Sequence, residues 1–223
     1  MGEIVGAIIV SAGFSTRMKG IEKAIFEMDG VPLVIRTAQV FERNPEVDEI
    51  VLVVRNEHLR SLRSVIEEYN FTKIKAICIG GRTRRDSVKI GLETLSSSTW
   101  VIVHDGARPM VTNDLIVKGL KMARKTGAAT PGLPPKDAIK MVTPKSMVIE
   151  TLERDSVVSV QTPQTFRREI LERAHKEFIG DAVDDAVMVE KIGIQVAVYP
   201  GSHTNMKVTT PEDLKFLEVL MKG

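Results

Sequence analysis

The sequence predicts an α/β domain with a mostly parallel sheet, helices on both faces and a β-hairpin arm. Three observations predict it. Apolar runs rich in Val and Ile, at 4–10, 49–55, 74–79, 100–104 and 194–199, read as strands of a sheet covered on both faces. Amphipathic segments near 32–43, 57–69, 83–95, 112–126 and 166–177 fall between them, as the crossovers of a parallel sheet require. The stretch 132–163 breaks this rhythm.

In chain order, Ile4-Val5-Gly6-Ala7-Ile8-Ile9-Val10 reads as a buried strand that runs into a loop of small residues. The next strands and helices alternate as far as the helical pattern 112–126. Then Leu133-Pro134-Pro135 precedes Ala138-Ile139-Lys140-Met141-Val142, Thr143-Pro144-Lys145-Ser146 has turn chemistry, and Met147-Val148-Ile149-Glu150 reads as a returning strand. This is a protruding β-arm within 136–160. A lone two-stranded ribbon is marginal in water, so the arm is expected to pack on a second subunit. The last helix is signalled by Thr210 at the N-cap, Pro211 at the first helical position and Asp213 in a capping-box pattern.

Composition narrows the possible functions. The 223 residues suit one domain, 1–223, and 43% hydrophobic content supports a full core. With 31 basic and 29 acidic residues the formal charge is +2, so no global basic field attracts a nucleic-acid backbone. Aromatics at 4% offer few platforms for stacking bases. The single cysteine, Cys78, excludes an intrachain disulfide and fits a reducing cytoplasm. No apolar run approaches the roughly 20 residues of a membrane span.

Parallel sheets bind ligands at the carboxyl ends of their strands, which directs attention to the loops after Val10, Ile79 and His104. The first holds Ser11-Ala12-Gly13-Phe14-Ser15-Thr16-Arg17-Met18, with Lys23 beyond. The backbone N–H groups that a small-residue loop exposes, with Arg17 and Lys23 nearby, read as a phosphate grip; the alternative is a plain βα turn with surface cations. Neither a P-loop nor a dinucleotide fingerprint is present. The second loop, Gly80-Gly81-Arg82-Thr83-Arg84-Arg85-Asp86-Ser87, allows close backbone approach to a flat ligand, or simply caps a helix through Asp86 or Ser87. The third, His104-Asp105-Gly106-Ala107-Arg108-Pro109, offers a carboxylate suited to a divalent cation and a guanidinium suited to phosphate. Its histidine reads better as a buried group orienting its neighbour. A fourth cation, Lys207 in Asn205-Met206-Lys207-Val208-Thr209, follows a polar loop and is either exposed or aimed at the same site.

Together these motifs resemble the sugar-nucleotidyltransferase family, and most narrowly its cytidylyltransferases acting on polyol phosphates. The resemblance extends through Arg154 and Gln161-Thr162-Pro163-Gln164-Thr165-Phe166 to the Asn-x-Lys-Val-Thr-x-Pro-Glu-Asp-Leu ending, and covers nearly the whole chain. It implies a Rossmann-like fold, a homodimer formed through the β-hairpin dimerisation arm, CTP with Mg²⁺, and CMP transfer to 2-C-methyl-D-erythritol 4-phosphate in non-mevalonate isoprenoid synthesis. By motif position, Ala12, Gly13, Gly81 and Ser87 bind the nucleotide, and Arg17, Lys23 and Lys207 are catalytic. Asp105, Arg108, Thr162 and Arg154 surround the sugar phosphate, with Arg154 reaching the partner's site and Asp105 facing the metal. Glu22 stands where the family usually has Pro, Arg82 where some members carry an acid, and Ala138 and Val183 where some carry threonine. Two alternatives remain: a ribitol 5-phosphate cytidylyltransferase and a non-catalytic CTP-binding module.

Overall fold

The computed structural model describes residues 2–222. Its strands are Val5–Ser11 (β1), Glu27–Met28 (β2), Val31–Pro32 (β3), Glu49–Val54 (β4), Ile74–Ile79 (β5), Trp100–Asp105 (β6), Ala128–Leu133 (β7), Lys140–Val142 (β8), Val148–Thr151 (β9), Ser159–Val160 (β10), Gln164–Arg167 (β11) and Ala197–Pro200 (β12). Its helices are Leu33–Arg43 (α1), Leu59–Glu68 (α2), Arg84–Thr94 (α3), Asn113–Thr126 (α4), Arg168–Glu177 (α5), Asp185–Lys191 (α6) and Pro211–Lys222 (α7). Eight strands form the main sheet in the order β10-β7-β11-β6-β1-β4-β5, with β12 on β7. The ladders β6-β1-β4-β5 and β7-β12 are parallel, whereas β11 runs antiparallel to both its neighbours.

The continuous apolar runs are explained by two buried faces. Ala7 and Ile9 join one core with Ile50, Leu52 and α1 residues such as Phe41, while Ile8 joins the other with Val51, Val53 and α3 residues such as Val88. Among the described residues, no helix is long and apolar enough to cross a membrane.

Two departures from the sequence reading concern the middle of the sheet. The helix expected from 166 starts at Arg168, because Gln164–Arg167 is strand β11. Strand β7 is made of small residues with Pro131 and Gly132, and so carries no apolar signature. The strand expected at 194–199 is confined to Ala197–Pro200. The arm forms as β8 and β9 around a turn in which Ser146 N–H donates to Thr143 O at 2.9 Å, and β10 then rejoins the main sheet on β7.

Parallel register brings Ser11, Val54, Ile79 and Asp105 to one edge. A small third core fixes what hangs over that edge: Met18, in the loop after β1, packs with Val208, Leu214 and Leu217 of the C-terminal segment. The glycines after β5 serve protein packing before any ligand. A Cβ at Gly80 would lie 2.2 Å from Ala12 Cβ, so the first two loops touch only because that side chain is missing. Helix α3 starts at a full capping box, Thr83 with Asp86, and not at Ser87.

The end of β6 is locked from within. Asp105 N–H donates to Thr162 Oγ1 at 3.1 Å, and Thr162 Oγ1 lies 3.0 Å from His104 Nδ1. His104 Nε2 lies 3.2 Å from the carbonyl oxygen of Arg108. A carbonyl only accepts, so Nε2 carries the proton, and the neutral ring accepts at Nδ1 from the Thr162 hydroxyl. Burial pushes the imidazole pKa down to about 3, against the pull of Asp105.

Two stability outcomes follow from this packing. A Cβ at Gly91 of α3 would meet the fully buried Ile8 Cγ2 at 2.5 Å. Gly91→Ala gains about 1 kcal/mol of helix propensity but overpacks at a cost of ~1–3 kcal/mol, so urea unfolding is expected to show a net loss; a gain would refute the tight helix–sheet contact. The unfolded chain protonates His104 near its ordinary 6.5, the folded chain only near 3. Stability should therefore fall as pH drops through that window, by up to about 1.4 kcal/mol per unit from this group. His104→Gln should flatten the decline between pH 6.5 and 4.5, and an unchanged slope would contradict a buried neutral ring.

Candidate active site

Two adjoining cavities open at the carboxyl edge of the parallel strands. The first, of about 360 Å³, is lined by Ala12, Gly13 and Lys23 from the loop after β1 and by Gly81 and Ser87 from the loop after β5. The second, of about 330 Å³, is lined by Arg108, Thr162, Gln164 and Asp184. Arg84, Asp105 and Lys207 line both. The cavities thus meet at one cluster of charge.

Asp105 is the centre of that cluster. Its Oδ2 lies 2.9 Å from Lys207 Nζ and 3.4 Å from Arg108 Nε, and its Oδ1 lies 3.5 Å from Arg84 Nε. Burial alone would raise the carboxyl pKa, but Lys207, Arg84 and Arg108 together hold it far below the usual carboxylate range. Arg84 is shared: its Nη1 donates to Asp185 Oδ2 at 2.6 Å, at the start of α6. That helix is capped by Asp184, whose Oδ1 accepts from Val187 N–H at 2.9 Å.

Lys207 is aimed by its neighbours. The buried Asn205 donates from Nδ2 to Thr162 O at 2.8 Å and accepts at its carbonyl from Arg108 Nη1 at 2.8 Å. Val208 N–H donates to Ala107 O at 2.9 Å. With residues 205 and 208 pinned to the ends of β6 and β11, the side chain between them faces the cavity. Lys23 faces the same space, and its pKa is lowered by burial, then by the charges of Lys207 and Arg17. Lys207 and Arg17 are therefore each close enough to Lys23 to repel it.

Of the residues expected from sequence, Ala12, Gly13, Lys23, Gly81, Ser87, Asp105, Arg108, Thr162 and Lys207 line one or both cavities. Arg17 is exposed, on the single turn Thr16–Met18, and acts on Lys23 through its charge. Two hydroxyls have structural duties: Ser87 Oγ accepts from Gly81 N–H at 3.1 Å, and Thr162 bridges Asp105 to His104. Arg154 is exposed on the turn Arg154–Ser156 at the root of the arm and lies outside both cavities of its own chain. Val183 edges the second cavity, and Arg82 the first. Sequence reasoning missed Arg84 and Asp185; the available signals were the arginine in the Gly-Gly-x-x-Arg run and the acidic pair opening α6.

Among the described residues there is no group of three or more His, Cys, Asp or Glu able to hold a metal alone. An ion such as Mg²⁺ takes one or two protein carboxylates and completes its shell with water and substrate phosphates; Asp105, the carboxylate where the two cavities join, is the residue that would hold it.

Comparison with known proteins shows the family of the chain. The family model described as IspD, 2-C-methyl-D-erythritol 4-phosphate cytidylyltransferase, matches residues 5–223. A protein of that name from Dehalococcoides mccartyi is 43% identical over 222 residues, covering 100% of this chain and 98% of the relative. One from Clostridium tetani is 41% identical over 220 residues, covering 97% and 89%. The crystal structure of 4-diphosphocytidyl-2C-methyl-D-erythritol synthase from Anaerococcus prevotii superposes with a TM-score of 0.89 at 29% identity, covering 99% and 97% of the two chains. That of the Thermus thermophilus cytidylyltransferase gives 0.78 at 30% identity over 100% of each. The chain belongs to the 2-C-methyl-D-erythritol 4-phosphate cytidylyltransferase family.

Proposed function

We propose that this protein transfers CMP from CTP to 2-C-methyl-D-erythritol 4-phosphate, giving 4-diphosphocytidyl-2-C-methylerythritol and pyrophosphate. The observation that carries the reading is the meeting of two cavities at Asp105, Arg84 and Lys207. CTP occupies the first, its phosphates on the backbone of Ala12 and Gly13 and on Arg17 and Lys23, its base and ribose toward Gly81 and Ser87. The acceptor phosphate occupies the second, with Arg108 and Lys207. Family membership favours methylerythritol phosphate over ribitol 5-phosphate as acceptor, and the presence of Lys23, Asp105 and Lys207 in the cavities argues against a non-catalytic module.

The acceptor is a phosphate monoester whose second pKa is about 6, so near neutral pH it is mostly dianionic. An acceptor oxygen attacks the α-phosphorus of CTP; the new P–O bond forms as the bond to the β-phosphate's bridging oxygen breaks, and pyrophosphate leaves. The obstacle is repulsion between anions. At 4 Å and an effective dielectric of ~20, each pair of unit charges is worth roughly 4 kcal/mol. Lys23, Lys207, Arg17 and Arg108 offset that repulsion and align the partners. Mg²⁺, held by Asp105 and the nucleotide's phosphates, would supply further neutralisation of the polyphosphate.

A homodimer completes the site. The arm exposes Met141, Val142, Met147, Val148 and Ile149, an apolar ribbon suited to burial against a second copy. Packed so, Arg154 at its root serves the partner's acceptor cavity. The free thiol of Cys78 and the absence of a second cysteine suit the reducing cytoplasm.

Lys23→Ala and Lys207→Ala are each expected to lower kcat by about 10²–10³-fold, as loss of a transition-state charge contact does; the unfolding midpoint should stay near wild type for Lys23→Ala and fall for Lys207→Ala, which leaves the buried Asp105 on Arg84 and Arg108 alone, and wild-type turnover in both would refute the assignment. Arg154→Ala should raise the acceptor KM. Mixed dimers of Arg154→Ala with Lys23→Ala chains should regain activity, because one of the two sites then holds both native residues. No regain would refute a shared site.

A further inference from the structure

The loop between β1 and β2 must hold Arg17 and Lys23 in place, yet Met18 is its deepest anchor. A second hold comes from outside the cavity. Arg55, the residue after β4, touches the loop at two points. Its guanidinium carbon lies 4.7 Å from the centroid of the Phe14 ring, at the loop's entry. Its Nη1 donates to Glu22 Oε1 at 2.8 Å, immediately before Lys23. Arg55 is itself fixed from its own segment by Glu57, and His58 Nε2 lies 3.6 Å from the other Glu22 oxygen. The Arg55 and Glu22 side chains are 19% and 37% exposed, so the pair is only partly shielded from water.

We propose that Arg55 is a positioning residue for nucleotide binding, clamping the loop at Phe14 and Glu22 so that Lys23 is presented to the triphosphate. The proposal rests on the cytidylyltransferase reading. Its physical content is twofold. The clamp orders the loop before CTP arrives, which removes part of the ordering cost of binding. It also holds the Glu22 carboxylate on a guanidinium, leaving the ammonium of the adjacent Lys23 for phosphate. A released Glu22 would compete with the nucleotide for that charge.

The test is steady-state kinetics, with direct CTP binding by calorimetry, on wild type, Arg55→Ala, Arg55→Lys and Arg55→Ala/Glu22→Gln. Arg55→Ala is expected to raise KM and Kd for CTP about tenfold while kcat and the acceptor KM stay within about threefold, the pattern of lost preorganisation for one substrate. Adding Glu22→Gln should recover about threefold of that loss, which a purely structural role would not. Arg55→Lys, which keeps the charge and the fold but not the fork, should raise the CTP KM about threefold, and it decides the matter should Arg55→Ala fail to fold. An unchanged CTP KM in folded variants, or equal losses for both substrates without recovery, overturns the clamp alone. Absence of CTP binding by wild type overturns the function and this proposal with it.

Discussion

One carboxylate organises the site: Asp105, gripped by Lys207, Arg84 and Arg108 at 2.9, 3.5 and 3.4 Å. Three cations so close would repel one another without it, and it would be costly to bury without them. Each element that brings a member of this cluster is placed for that purpose. β6 delivers the aspartate, the capped start of α3 delivers Arg84, the turn after β6 delivers Arg108, and the Asn205–Val208 segment delivers Lys207. The buried histidine and threonine behind β6 hold the aspartate's backbone still.

The charge balance of the cluster explains why it suits polyanions. Asp185 takes part of Arg84's charge, and Asp105 is shared among its partners. With Lys23 and Arg17 close by, the positive charge exceeds the negative. The depressed pKa of Lys23 records that excess as repulsion from Lys207 and Arg17 on top of burial. Incoming phosphates relieve it. On the proposed function, the phosphates of CTP and of the acceptor are what such a set of cations would hold.

Much of this was legible in the sequence because parallel strands and their loops have strong local signatures. β1, β4 and β6 are mostly apolar runs, β5 at the sheet edge is one interrupted by Lys75, and the loops at their carboxyl ends hold the residues picked out by type. What was not legible depended on partners distant in sequence. β7 contains Ala, Thr, Pro and Gly, and β11 begins with Gln164, a polar residue that is fully buried because its amide donates to Asp184 and Thr130 and accepts from Asp185 and Ala186. Nothing near Gln164 in sequence announces those bonds. Arg84 was hidden for the same reason: its meaning lies in Asp185, 101 residues away. The paired glycines were recognised, but for a ligand's approach, whereas Gly80 is needed first for contact with Ala12.

The histidine in the third motif bears on the chemistry by what it does not do. A hydroxyl acceptor would need a base to take its proton, and a cavity histidine would be the natural candidate. Here the ring nitrogens of His104 are both engaged, the group is fully buried, and its pKa is pushed to about 3. Among the described residues, no histidine lines either cavity, and the Asp184 carboxylate of the second is engaged by Val187 N–H and the Gln164 amide. A phosphate monoester already carries its attacking oxygen deprotonated near neutral pH. A site rich in fixed cations and poor in titratable bases is thus matched to an anionic nucleophile, and would be a poor one for an alcohol.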